Sequence, residues 1–458
     1  MLALGCSQAP APRQPVSIAI LPVQAGTSAA PIDWLCRGLT ADLIDAAGAI
    51  PGLQVAGPVS TMVAGGQKDA AAALAVESVL RTEIDEKGAL FTIRLQLVRA
   101  SDGETIGRQV LSRGPEEMIR VHHEVAKLLA GWLRKEAPDL PVKSLTADLD
   151  AHYLYWRGLN ERYRAGGKLE TEIEYYDKAL QRDGYFAAAY TRSAEARVAL
   201  LRAGRGTVAD VEKARTIARR AVELGEDSAG AHAALGGFLF WIDWKWAEAS
   251  MLLREAMEWQ PSHAAANGDY AALLTASRRF GDALPQLDAA TRIEPLDMAA
   301  RQSSQWLRIY ARAWSPEQAR SVPRAPLALL AALSESFAGN HAKATELAAA
   351  AQQDGLATPV EVLHAAHVWR SAGRQDKAAQ LLETFREGGP LFLAAAAALR
   401  MSDREEVIRM VRTAVEQRDP NIVWIHLLPM FDSLRNDQRF AAIASQVGMT
   451  ADEKPAAE

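Results

Sequence analysis

Chemistry in a folded chain needs particular side chains at particular spacings, and this sequence offers a few places to look. Glu361, His364 and His367 stand at i, i+3 and i+6 of a predicted helix, which puts them on roughly one face. Glu-x-x-His is a ligand spacing of di-metal helical bundles, but those draw matching carboxylates from other helices. No second Glu-x-x-His occurs, so the three read as a solvated helix face and no metal is expected. Phe238, Phe240, Trp241, Trp244 and Trp246 fall within nine residues. They could wall a peptide or sugar site, because tryptophan is favoured at binding hot spots. Phe238 and Trp241 share a helical face, however, while Trp244 and Trp246 sit where an inter-helix turn belongs, and packing is the reading adopted.

The remaining candidates weaken on inspection. Cys36 precedes Arg37, a neighbour that favours thiolate, yet it also fits the apolar side of a helix beside Trp34 and Leu35, so it is taken as core. His122 and His123 point to different helix faces. Gly65-Gly66-Gln67-Lys68 lacks the leading glycine spacing and the Ser/Thr after lysine of a phosphate loop. Gly204-Arg205-Gly206 has no third glycine, and no Gly-x-Ser-x-Gly elbow occurs. No catalytic group and no cofactor site are expected, and the chain reads as a non-enzyme.

Composition agrees with a binding role. The chain has 458 residues, of which 49% are apolar, and a formal net charge of −5, so no nucleic-acid partner is expected. Its two cysteines, Cys6 and Cys36, form neither a disulfide framework nor a zinc set. The longest apolar run, Leu391 to Leu399, is nine residues of mostly alanine, too short to span a bilayer. The opening MLALGC followed by SQAPAPRQP resembles the end of a lipoprotein signal peptide, lacking the charged n-region and most of the h-region. Cys6 is therefore a lipidation candidate and a possible membrane tether. The expected location is periplasmic or membrane-anchored if a signal peptide lies upstream, and cytoplasmic otherwise.

The elements that must position any site come in two styles. Residues 17–136 alternate short apolar runs with helical stripes. Ser17–Val23, Leu53–Ala56, Ser78–Ile84, Leu90–Val98 and Thr105–Leu111 read as strands, and Phe91, Ile93, Leu95 and Leu97 alternate with polar residues. Ile32, Leu35, Leu39, Leu43 and Ile44 make a helical stripe that stops at Pro51-Gly52. A second helix is expected over Gln67–Leu74 and a closing one over Glu116–Leu133. The order predicts an α/β domain with a mixed sheet.

After a linker at 137–149 the pattern becomes helical hairpins. Pro261 and Pro295 are 34 residues apart, as are Ala256 and Ala290, Ala249 and Ala283, and later Ala344 and Ala378. That period, with small residues in the second helix and proline beyond it, marks the tetratricopeptide repeat. Each unit buries its apolar face only by stacking on neighbours, so an all-α solenoid is predicted. Its regular set covers 150–315. Pro316, Pro323 and Pro326 interrupt it, and 316–449 reads as a degenerate set with a C-terminal cap. Residues 1–16 are a tether and 450–458 a disordered tail. First helices line the groove of such solenoids, which makes Ala265, Gly268, Ala272 and Thr275, with Trp241, candidate partner contacts.

The stretches SIAILPV, CRGLTADLIDAAGAIPGLQVAGPVST and AVESVLRTEIDEKGALFTIRLQLVRASDGETIGRQVLSR resemble the TolB-like amino-terminal domain. Gly38-Leu39-Thr40 and the Pro51-Gly52-Leu53 turn are the most specific pieces, and the closing RDPNIVWIHLLPMFDSLRNDQRFAAIASQVGM extends the resemblance. That domain often precedes tetratricopeptide repeats in bacterial proteins, among them membrane-anchored winged-helix regulators and some adenylate cyclases. The chain has neither a winged helix nor a cyclase domain, so those activities do not carry over. The resemblance implies a protein–protein scaffold of the bacterial cell envelope that takes a protein or peptide in its groove. The alternative is the sensor half of a signalling protein whose effector domain is separate.

Overall fold

The computed structural model describes residues 16–26, 32–67, 69–88, 90–135, 146–225, 228–310, 325–353, 359–383, 404–428, 431 and 434–448. Cys6 with its tether, most of the linker, Pro316 and Pro323, the Leu391–Leu399 run and the tail from 450 lie outside them.

Six strands build the first domain: β1 (Val16–Ile20), β2 (Gln24–Ala25), β3 (Leu53–Val55), β4 (Ser78–Lys87), β5 (Leu90–Arg99) and β6 (Thr105–Arg113). Their order is β3-β1-β4-β5-β6, with β2 paired to β4 beside the path. β1 runs parallel to β3 and to β4, while β4, β5 and β6 are antiparallel neighbours. The period-two reading of β5 holds, since Phe91, Ile93, Leu95 and Leu97 are buried and Arg94 is exposed. Helix α1 (Asp33–Gly48) links β1 to β3, and α2 (Pro58–Ala64) with α3 (Ala70–Leu74) returns the chain to β4. Parallel neighbours need such crossovers, and the two crossovers cover opposite faces. Ile18, Ile20 and Leu80 pack in the core shared with α1, whereas Ala19, Val79 and Val98 pack with residues of α2 and α3. Two details differ from the sequence reading. The closing helix is broken into α4 (Pro115–Met118) and α5 (Val121–Trp132), and α2 is a helix that reading did not anticipate.

The solenoid follows as paired helices: α6 (Leu149–Tyr163) with α7 (Leu169–Arg182), α8 (Ala187–Arg202) with α9 (Val208–Leu224), α10 (Ala229–Phe238) with α11 (Trp246–Trp259), and α12 (Ala264–Ala276) with α13 (Phe280–Ile293). After α14 (Met298–Tyr310) two further pairs are Ala325–Phe337 with His341–Gln353 and Pro359–Ser371 with Gln375–Glu383. That makes six complete hairpins among the described residues, so the fold is an α/β domain with a mixed sheet followed by a tetratricopeptide-type helical solenoid. The repeat alanines sit where helices close on each other: Ala249, Ala256, Ala283 and Ala344 have no exposed surface. Small side chains are required there because packed helices approach to about 8–10 Å.

The two domains share a core. One cluster of buried residues runs from Ile18 in β1 through α1 and α5 to Trp156, Tyr176 and Leu200 in the first two hairpins. A second joins α8 to α14 with the C-terminal segment, from Val407 to Val447. Substituting Ala256→Leu should overpack its hairpin and lower stability by about 1–3 kcal/mol. A thermal melt reads this directly, and an unchanged melting temperature would contradict the packing described.

Candidate functional site

The five clustered aromatics are core residues. Phe238, Phe240, Trp241, Trp244 and Trp246 are all buried, and the chain makes room for them with an i→i+5 turn at Leu239–Asp243. Trp244 closes that turn in the left-handed region at φ 58°, a conformation that costs a non-glycine residue about 1–2 kcal/mol and needs surrounding support. The C-terminal segment supplies it. Arg418 lies 4.5 Å over the Trp244 ring, Trp424 packs edge-on to Trp241 at 5.6 Å, and Arg278 donates to the His426 carbonyl at 3.1 Å. Trp241 also donates its indole N–H to Asp269 at 2.8 Å and carries Arg202 3.9 Å over its ring. Burial raises the Asp269 carboxyl above its usual range.

The other groove candidates separate into two kinds. Ala272 is buried, and Thr275 is fully buried with its hydroxyl donating to the Ala271 carbonyl at 2.8 Å. Ala265 is exposed, and Gly268 faces open space, with nothing within 4 Å of the position a Cβ would take. The accessible part of α12 is therefore its first half.

The histidine face is corrected by the structure. Glu361 and His364 are buried, not solvated, and His364 stacks on Trp306 of α14 with ring centroids 4.0 Å apart. Burial pushes the His364 imidazole down to about 3. Among the described residues no group of three or more His, Cys, Asp or Glu is placed to hold a metal.

Sequence reasoning missed the seam between the domains. Helix α1 lies against α6 at Gly38, where a Cβ would fall 2.4 Å from the Trp156 ring. Trp156 donates its indole N–H to Asp42 at 2.6 Å, and the Tyr155 hydroxyl and His152 Nε2 stand 3.4 and 3.5 Å from the same carboxylate. Burial pushes the Asp42 carboxyl up, but His152, His122 and Trp156 outweigh it and hold the group below its usual range. One turn on, Asp45 pairs with Arg192 of α8. Arg192 reaches Glu195 at 3.0 Å, Glu195 reaches Arg162 of α6 at 3.0 Å, and Arg162 reaches Glu172 of α7 at 3.0 Å. Farther along, the Glu294 carboxylate beyond α13 caps α2, accepting from the Val59 N–H at 3.2 Å and the Ser60 N–H at 2.7 Å. The Leu296 N–H returns a bond to the Ser60 hydroxyl at 2.9 Å.

A cleft of about 810 Å³ opens beside this seam, lined by Pro22–Ala25 after β1, by Asp33, Cys36 and Arg37 of α1, by Val59, Met62 and Val63 of α2 with Gly65 and Gly66 beyond it, and by Arg162–Ala165. Cys36 is buried, and burial raises its thiol to about 11, which keeps it protonated and matches the packing role read for it.

No protein-family model matches the chain, and no curated protein matches it. Solved structures do. A human IFIT1 dimer with m7Gppp-AAAA is similar at 14% identity, covering 72% of this chain and 73% of that one with a TM-score of 0.40. A tetratricopeptide repeat protein from Parabacteroides merdae is similar at 10% identity over 66% of this chain and 99% of that one, TM-score 0.33. Pseudomonas aeruginosa pilF is similar at 20% identity over 51% of this chain and 91% of that one, TM-score 0.27.

The seam carries a pH dependence of defined sign. Burial lifts the Glu294 carboxyl to about 7, against the pull of Ser60 and Val59. The folded chain thus holds a proton that the unfolded chain releases. The stability this adds is complete below the ordinary carboxyl value and is lost as pH rises through about 7. Glu294→Gln should flatten the fall in urea stability between about pH 5 and pH 8 by roughly 2–3 kcal/mol relative to the parent. Equal slopes for the two proteins would refute the assignment.

Proposed function

We propose that the chain is a non-enzymatic interaction scaffold of the bacterial cell envelope that holds a protein or peptide segment across the first helices of its solenoid. The observation that carries this reading is the open first half of α12. Ala265 and Gly268 are accessible there, between N-terminal helix ends that meet the α/β domain and C-terminal ends that meet the C-terminal segment. Small side chains let a partner backbone come close to the helix, the way small residues admit one helix to another. The partner binds through shape and a few polar contacts, with Asp269 at the edge of the window. Envelope placement rests on the residues around Cys6.

Gly268→Arg tests the window cleanly. A Cβ at this position has nothing within 4 Å of it, and replacing a mid-helix glycine removes about 0.5–1 kcal/mol of helix penalty, so the melting temperature should not fall. Recovery of a partner on the full-length chain, measured by quantitative mass spectrometry, should fall by about tenfold or more, equivalent to about 1.4 kcal/mol of binding. Equal recovery by parent and variant counts against this face. For the tether, intact mass of the protein from its own cells should show acyl chains that Cys6→Ser removes, and an unmodified cysteine would argue for another location.

A further inference from the structure

β6 (Thr105–Arg113) ends the sheet of the first domain and pairs with β5 on one side. Among the described residues no strand pairs with its other side. Such an edge presents a row of unpaired N–H and C=O groups, and soluble proteins blunt it with proline, with lysine or by keeping the strand very short. β6 has nine residues, TIGRQVLSR, with neither proline nor lysine. Its one register shift lies opposite Leu97 and Val98, at the Thr105 end, and residues 107–113 are left regular.

Side-chain bonds mark the backbone groups that face outward. Gln109 donates its Nε2 to the Val110 carbonyl at 3.3 Å, and Arg113 donates its Nη1 to the Ser112 carbonyl at 2.8 Å. In an antiparallel ladder the N–H and C=O of one residue point the same way and those of the next point the other way. Arg108, Val110 and Ser112 therefore turn their backbone groups to the free edge, and Gln109, Leu111 and Arg113 turn theirs to β5. The side chains of Arg108, Val110 and Ser112 are exposed, level with Gln96, Arg94 and Thr92 of β5. Val110 is 54% exposed and is the apolar centre of this row. On the other face Gln109 lies beside the buried Leu95 yet is itself exposed, so the edge is open to solvent there too. The charges of the strand are Arg108 and Arg113, and Glu124 holds Arg113 at 2.6 Å.

We infer that β6 is a dimer interface, pairing antiparallel with β6 of a second copy of this chain about a two-fold axis at Val110. In that register Val110 meets Val110 of the second copy, Arg108 meets Ser112, and Arg113 meets Gly107. The exposed apolar side chain is then covered by its own counterpart, and neither arginine faces a like charge, which would be destabilising directly across a pair. Arg108, Val110 and Ser112 each face a residue whose backbone groups also point outward, so each pair exchanges both N–H···O bonds. Two-fold pairing is self-complementary and closed, and it leaves neither copy with a free β6 edge. A contact of one strand from each chain is at the small end of specific interfaces, among those that form and dissociate readily.

Sedimentation equilibrium of the full chain tests this. Monomer and dimer should interconvert over a range of about 1–100 µM. Val110→Lys sets two ammonium groups against each other on the axis and should weaken association by about tenfold or more. Val110→Thr keeps a β-branched side chain and should leave association within about threefold of the parent. The position is exposed, so both variants should keep the parent's melting temperature. Register is read with a short bismaleimide in a Cys6→Ser background, where Cys36 is buried. Val110→Cys should cross-link to itself. Arg108→Cys alone should not, because its two copies stand roughly 13 Å apart along the strands, whereas a mixture of Arg108→Cys and Ser112→Cys chains should. A chain that stays monomeric at about 100 µM overturns the inference and leaves the edge to a strand of another protein. A dimer that Val110→Lys does not weaken, or one that cross-links through Arg108→Cys alone, overturns it as well. Each of these results leaves the scaffold reading of the solenoid standing, because that reading is tested at Gly268.

Discussion

Everything in the molecule is hung from the contact between α1 and α6. Gly38 removes the one atom that would keep the helices apart, and Trp156 fills the space with the largest side chain available. A buried indole N–H and a buried carboxylate are each costly alone, and pairing them offsets part of both costs. Asp42 does this for Trp156 at 2.6 Å, with Tyr155 and His152 beside it. An alanine at 38 would press on the ring, and a leucine at 42 would strand the indole. The α/β domain is thus fastened by a core contact, whereas domains joined by a linker usually meet through looser, more polar interfaces.

The two ends of this fastening respond to protons in opposite directions. Asp42 is held below its usual value, so its contribution is present above the ordinary carboxyl range and is lost on acidification. Glu294 is held above its usual value, so its contribution is lost as pH rises toward neutrality and beyond. The difference lies in what surrounds each group. Asp42 faces His152, His122 and an indole N–H, which stabilise its charge. Glu294 faces two backbone N–H groups and a hydroxyl, and its neighbour Asp297 adds to the burial that disfavours ionisation. At neutral pH the contribution of Asp42 is therefore complete, while that of Glu294 is already falling.

Local patterns in the sequence carried the elements, and contacts between distant residues carried the site. The 34-residue spacing of Pro261 and Pro295 and the alternation in β5 are set by nearest neighbours, and both were legible. α2 was not. It is seven residues long, contains Val59, Thr61 and Val63, and takes its N-terminal acceptor from Glu294, 234 residues from Ser60. Nothing local distinguishes it from a loop. The face with Glu361 and His364 looks solvated until Trp306, more than fifty positions earlier in the sequence, stacks on it. Within α12 the groove side was hard to choose because the helix is apolar nearly all round, and such a helix gives no directional signal. Ala265 and Gly268 lie in its open first half, while Ala272 and Thr275, on the same stripe, lie in its buried second half.

The buried charges explain why the two domains hold one orientation. Asp45, Arg192, Glu195, Arg162 and Glu172 form a chain that starts on α1 and passes through α8, α6 and α7. Buried ion pairs add little to stability, since desolvation offsets attraction, but losing one member leaves its partner charged and unpaired at a cost of about 3–5 kcal/mol. A sliding or tilting of α1 would draw the half-exposed Asp45 away from Arg192 and leave Arg192 with Glu195 alone. Aromatic packing at Trp156 tolerates small rotations; a relay of directional guanidinium–carboxylate contacts is less forgiving. Apolar burial therefore supplies the adhesion between the domains, and the ion-pair chain supplies their register.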